Sequence, residues 1–129
     1  NWFFRILYGI YELRKIIRKV SNELEYNPIF IDEKEHNRQI VPEILYEIEK
    51  SLFLIVDLTN PNYGAYFEAG YGQGKGKEVI ALCKDDVFSS IDRNKKPHFD
   101  LSQKSMIIWK NSEDLVEKLT KRIKATIKN

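Results

Sequence analysis

Cysteine is almost missing from this chain. One residue, Cys83, occurs in 129, so no internal disulfide can form, and the composition suits a reducing, cytoplasmic setting. Cys83 closes an apolar run, where a buried inert thiol is expected over a nucleophile or a metal ligand. Histidine is nearly as scarce. His36 and His98 are the two present, and neither stands at a ligand spacing such as H-x-x-x-H, so no metal site is expected. No apolar stretch nears the roughly 18 residues that a membrane-spanning helix needs, so no membrane partner is expected. Charge of one sign is also lacking. The net charge is +2, with Lys and Arg spread among Glu and Asp, which argues against nucleic acid as a partner. The first residues, Asn1-Trp2-Phe3-Phe4-Arg5, have neither the zones of a signal peptide nor an initiator Met, so a missing upstream segment is expected.

What is present is an alternation of two periodicities over a length that fits one domain, residues 1–129, with a real core. Phe3, Leu7, Ile10, Leu13, Ile17, Val20 and Leu24 recur at three- and four-residue steps, which predicts one amphipathic helix over about the first 25 residues. Pro28-Ile29-Phe30-Ile31 reads as a short strand ending at Asp32, followed by a polar loop containing His36. A second helix carries Ile40, Val41, Ile44, Leu45 and Ile48, with Pro42 tolerated in its first turn. Leu52 to Leu58 is a continuous apolar run, as expected of a strand buried on both faces. A helix from about Ala65 to Gly74, a strand Val79–Cys83, a long loop from Lys84 to Lys104, a last strand Met106–Trp109 and a closing helix capped by Asn111 complete the pattern. Strands alternating with helices predict an α/β fold: a three-layer, doubly wound, flavodoxin- or Rossmann-like parallel sheet. Such a sheet normally begins with a strand. This chain reads as beginning with a helix, so its first strand is expected to be missing or upstream.

The segment from Val56 to Leu82 carries the chemistry. An apolar strand ends on Asp57, a loop holds Thr59 and Asn62, and a short helix then presents Glu68, eleven residues after Asp57. Ligands of open α/β sheets bind in the crevice outside the carboxyl ends of the strands, so these residues are candidates for one site. A glutamate on a helix usually faces water. Here Phe67, Ala69, Gly70 and Tyr71 surround it with apolar or small groups, and Gly64 and Gly72 stand one turn away on either side. Glycine costs roughly 1 kcal/mol against alanine inside a helix, so room for a ligand or close packing on the sheet must explain the pair; close packing fits Gly70 better. The row Gly70, Gly72, Gly74, Gly76 fails the G-x-G-x-x-G spacing and follows the helix start, which makes it a helix end and a tight turn.

Asp57-Leu58-Thr59, Asn62, Tyr66-Phe67-Glu68-Ala69-Gly70-Tyr71 and Gly76-Lys77-Glu78-Val79-Ile80 together resemble the nucleoside 2-deoxyribosyltransferase-like family, itself related to TIR-type NAD-cleaving domains. Asp32 to His36, Pro97-His98-Phe99-Asp100 and the closing stretch from Trp109 to Ile127 fit the same pattern. The resemblance runs from about Tyr26 onward and departs from the family at Gly64, where many relatives place an asparagine. It implies cleavage of an N-glycosidic bond, with Glu68 attacking the anomeric carbon and trapping the oxocarbenium-like sugar.

Around Glu68 the remaining candidates keep two readings each. Asp57 binds a sugar hydroxyl or steers the leaving base, or else caps the following turn. Thr59, Asn62 and Gly64 contact substrate or merely shape the loop. Tyr66 and Tyr71 stack on a base, or pack in the core. Asp32 and His36 line the pocket, and Asp100 reaches a site or fixes its loop. No cofactor is implied. The expected partner is a small-molecule nucleoside, nucleotide or NAD, and a homo-oligomer is expected because subunits of such transferases complete one another's pockets. The alternative, from another class, is a non-catalytic nucleotide-sensing domain of a larger signalling or defence protein; a plainer one is an interaction module with a vestigial pocket.

Overall fold

The polypeptide alternates strand and helix from its first described residue to its last. The computed structural model describes residues 3–7, 11–30, 42–59, 63–89 and 106–127. In chain order these form β1 (Phe3–Leu7), α1 (Tyr11–Glu23), β2 (Asn27–Phe30), α2 (Pro42–Lys50), β3 (Phe53–Asp57), α3 (Tyr63–Gly74), β4 (Glu78–Lys84), α4 (Asp85–Phe88), β5 (Ile107–Trp109) and α5 (Ser112–Thr126). The five strands make one parallel sheet in the order β2-β1-β3-β4-β5. This is the doubly wound arrangement expected from the alternation.

One expectation fails at the amino end. The first strand is neither missing nor upstream: Phe3–Leu7 is β1, paired with β2 on one side and with β3 on the other, Leu7 lying in register with Val56. The predicted helix over the first 25 residues is therefore a strand and a helix. Phe3 and Leu7 stand four apart and mimic a helical stripe, but Phe-Phe-Arg-Ile-Leu is equally a short apolar strand. Periodicity alone does not separate the two over five residues. Gly9 lies between this run and α1 and weakens any continuous helix. The long loop predicted from Lys84 is also shortened, since Asp85–Phe88 forms the helical turn α4.

Side-chain alternation along β3 and β4 builds two cores. Phe53, Ile55, Ile80 and Leu82 pack with Leu13, Ile17 and Val20 of α1 and with Leu115, Leu119 and Ile123 of α5. On the other face Leu54, Val56, Leu58 and Ala81 meet Ile44 and Ile48 of α2 and Ala69 of α3. Each large aliphatic side chain removed from water this way contributes about 1.5–3 kcal/mol. The outer strands are protected against further pairing. Pro28 on β2 lacks an N–H, and on β5 the carbonyl of Ile108 accepts a 2.7 Å bond from Lys118 Nζ. At the start of α5, Asn111 caps as predicted, accepting from the Asp114 N–H at 2.9 Å.

Two helices end in the same way. After α3 the Lys77 N–H returns to the Gly72 carbonyl at 2.9 Å and the Gly76 N–H to that of Gln73 at 3.0 Å, with Gly76 at φ 79°. After α1 the Tyr26 N–H returns to Ser21 at 2.8 Å and the Glu25 N–H to Asn22 at 3.3 Å, with Glu25 at φ 64°. Both are Schellman closures, whose left-handed position glycine fills without strain and an L-residue occupies at roughly 1–2 kcal/mol. Replacing Glu25 by Gly is expected to stabilise the protein by about 1 kcal/mol, and Gly76→Ala to destabilise it by a similar amount. Thermal denaturation checks both, since 1 kcal/mol moves the midpoint by about 3–5 °C at this size.

Candidate functional site

The order β2-β1-β3-β4-β5 places its topological switch between β1 and β3, where chain connections diverge to opposite sides. Ligand crevices of open parallel sheets form at this point. Asp57 is the last residue of β3 and is 4% exposed. It continues the Phe53–Ile55 side of the strand, toward the α1/α5 layer. Its Oδ1 accepts from the Thr59 N–H at 3.1 Å and from the Thr59 hydroxyl at 2.6 Å. Thr59 Oγ1 in turn accepts from the Lys84 N–H at 3.1 Å, and the Leu58 N–H bonds the Leu82 carbonyl at 2.8 Å. The ends of β3 and β4 are thus laced together through Asp57 and Thr59. The turn-capping role open to Asp57 is present, and it occupies one oxygen. Oδ2 has no partner among the described residues.

Burial raises the Asp57 carboxyl above its usual 3.8, and the two bonds from Thr59 pull it back only in part. Cys83 lies beside it and is fully buried. Its thiol is pushed up to about 12, first by burial and then by the charges of Asp57, Asp86 and Asp85. A thiol so raised is held protonated, the inert form expected of a buried cysteine. Among the described residues no group of three His, Cys, Asp or Glu is placed to hold a metal ion.

Glu68 does not face water. It is 0% exposed and both carboxylate oxygens are shielded from solvent. The packing of α3 explains why. A Cβ added to Gly72 would stand 3.1 and 3.3 Å from the two methyls of Leu54 and 3.7 Å from Ile48, so Gly72 is where α3 lies closest on the sheet. Glu68 is one turn nearer the carboxyl edge on that same inner face. Four helical residues rise about 6 Å and two strand residues about 6.6 Å, which sets Glu68 at the level of Val56. Phe67 takes the outward position and is 52% exposed. Close packing thus explains Gly72 and not Gly70, around which there is open space. Gly74 ends α3 and Gly76 forms the turn, as the spacing predicted.

The structure therefore brings Asp57 and Thr59 into direct contact, and sets Glu68 under the same edge from the other face of β3. Gly64 lies in the first turn of α3, one turn above Glu68. Tyr66 and Tyr71 both pack on the α2/α3 core. The Tyr71 hydroxyl donates to Glu49 Oε2, and Lys75 lies 3.9 Å from that carboxylate and 5.5 Å from the Tyr71 ring centroid. The bond to Glu49 raises the phenol above its usual 10.0. Tyr71 thus ties α3 to α2. Asp32, His36, Asn62, His98 and Asp100 lie outside the described residues.

Two residues of this edge escaped the sequence reading. Lys84 ends β4 with its Nζ 5.7 Å from the ring centroid of Trp109, which ends β5. The rule that singled out Asp57, the last residue of an apolar run, applies equally to both. Cavities also open away from this edge. One of about 470 Å³ opens at the start of β4 among Gln73, Lys77, Glu78 and Arg122. It sits where α3 and α5 end, so the negative ends of both helices offset its two cations.

No protein-family model matches the chain, and no curated protein matches its sequence. Solved structures do match. The Clostridium botulinum CMP N-glycosidase BcmB is 16% identical, with a TM-score of 0.58 over 90% of this chain and 97% of that one. The heterodimer of the RPS4 and RRS1 TIR domains is 14% identical, with a TM-score of 0.57 over 98% and 99%. The fold is thus one shared by an N-glycosidase and by TIR domains, and at this identity the likeness speaks for the fold.

Because the fold raises the Asp57 pKa, it favours the protonated form. That contribution is present below the unfolded value of 3.8 and is lost as pH rises through the folded one. Asp57→Asn, which imitates the neutral acid, is expected to be more stable than the native chain at pH 7 by on the order of 1 kcal/mol. The difference shrinks toward pH 4. Denaturant titrations at both pH values check it.

Proposed function

We propose that this chain breaks the N-glycosidic bond of a nucleoside, nucleotide or NAD, releasing the sugar to water or to a second base. The observation that carries the reading is a carboxylate, Glu68, wholly buried under the carboxyl edge of a doubly wound sheet, the edge at which Asp57 ends β3 on the opposite face. A carboxylate at this place suits chemistry at an anomeric carbon. A Glu68 oxygen attacks C1′ as the C1′–N bond breaks, the bonding pair leaves with the base, and positive charge at the ring is met by the carboxylate. Water or an acceptor base then displaces Glu68. Asp57 Oδ2 accepts a sugar hydroxyl in this scheme. Resemblance to nucleoside 2-deoxyribosyltransferases, and a fold shared with a CMP N-glycosidase, support the chemistry. A cytoplasmic setting and a homo-oligomer whose neighbouring subunit adds to the pocket belong to the same reading.

The total burial of Glu68 also favours a second reading, a nucleotide-sensing domain of a longer signalling or defence protein that does not turn its ligand over. One experiment separates them. The protein is incubated with NAD, nucleosides and nucleotides, and free base is followed by chromatography beside Glu68→Gln. The enzyme reading expects base from at least one substrate and a rate lower by ~10³ or more in the variant. No release from any substrate, or equal release by both proteins, overturns it in favour of the sensor.

A further inference from the structure

We propose that Thr59 is a positioning residue for Asp57 and not a substrate contact, its hydroxyl holding Asp57 as an acceptor-only carboxylate that turns Oδ2 to the crevice. The inference rests on the proposed function for its catalytic meaning but not for its geometry. A threonine hydroxyl has one proton. Here the Lys84 N–H donates to Oγ1 at 3.1 Å, and Oγ1 donates to Asp57 Oδ1 at 2.6 Å. The proton is committed to Asp57, leaving Thr59 no donor for a ligand. The Thr59 N–H adds a second bond to the same Oδ1 at 3.1 Å. Two donors on one oxygen suit an ionised carboxylate, the form that burial disfavours.

The backbone sets this direction. The Lys84 N–H belongs to the end of β4, and β4 is in register with β3 up to the pair Asp57 and Leu82. Sliding β4 against β3 would remove that donor and leave Oγ1 a lone pair free to accept a proton from Asp57, so the direction of the bond would no longer be fixed. Other charged groups near this end are Lys84 on β4, Asp85 and Asp86 on α4, Glu68 on α3, Glu12 at the start of α1, and Glu113 and Asp114 at the start of α5. Arg5 of β1 is in register with Leu54, three residues before Asp57. Among the described residues only Thr59 bonds the Asp57 carboxylate. In the proposed reaction Asp57 then receives a sugar hydroxyl and does not protonate the leaving base.

The test is a carbon-13 carboxyl NMR titration of the intact chain, with the Asp57 signal assigned through Asp57→Asn. Thr59→Val is expected to raise the Asp57 midpoint by about one pH unit, the loss of one hydrogen bond to the charged form. Thr59→Ser, which keeps the hydroxyl, is expected to stay within about 0.3 of the native value. An unmoved midpoint in Thr59→Val, or an equal rise in Thr59→Ser, overturns the proposal. Should Thr59→Val not fold, the native chain decides. A Thr59 hydroxyl proton protected from exchange until Asp57 titrates supports the proposal, and one in fast exchange throughout overturns it. Base release from a nucleoside 5′-monophosphate is measured in parallel. A moved midpoint with no release by the native chain sinks only the enzyme reading, and release with an unmoved midpoint sinks only the role of Thr59.

Discussion

Everything in this molecule takes its place from the burial of β3 on both faces. All five of its side chains, Phe53 to Asp57, are buried, and a strand covered above and below must have a helical layer on each side. That constraint recruits α1 and α5 to the Phe53 and Ile55 side, and α2 and α3 to the Leu54 and Val56 side. It also dictates what happens where the strand stops. Asp57 continues the alternation of an apolar strand into a position that water barely reaches, so its charge depends on Thr59 and on the end of β4. Site and core are two ends of one strand.

α3 shows the other side of the same constraint. Four of its residues, Gly64, Gly70, Gly72 and Gly74, are glycine, each a weak choice for a helix. Of Gly70, Gly72 and Gly74, Gly72 alone is repaid by contact, with Leu54 and Ile48. The helix is held from outside by Tyr71 and Lys75 on Glu49 and from its end by the Gly76 closure. A helix that would be marginal alone carries a buried carboxylate because tertiary contacts, not propensity, keep it in place.

Much of this was legible in the chain. The continuous apolar run before Asp57 announced a doubly buried strand, Pro42 and Asn111 marked helix starts, and the apolar and glycine neighbours of Glu68 set it apart from a water-facing acid. Other things were not legible, for physical reasons. Phe3 to Leu7 is too short for a helical and a strand period to differ, so β1 merged with α1. Gly70 and Gly72 are chemically identical, and which one touches the sheet depends on the rotation of α3, fixed by Leu54 from another element. The partner of Thr59 is a backbone N–H, which no sequence pattern displays. Lys84 and Trp109 end apolar runs as Asp57 does, but their meeting depends on the register of β4 with β5, which neither run displays.

The treatment of the sheet's margins has a consequence for how copies of this chain can meet. A proline on β2 and a lysine cap on the β5 carbonyl remove hydrogen-bonding groups that a sixth strand would need. Growth of the sheet from one molecule into the next is thereby discouraged at both margins. At these two strands, side-chain contacts are favoured over backbone pairing. Such contacts would be open to tuning by single substitutions, as backbone pairing is not.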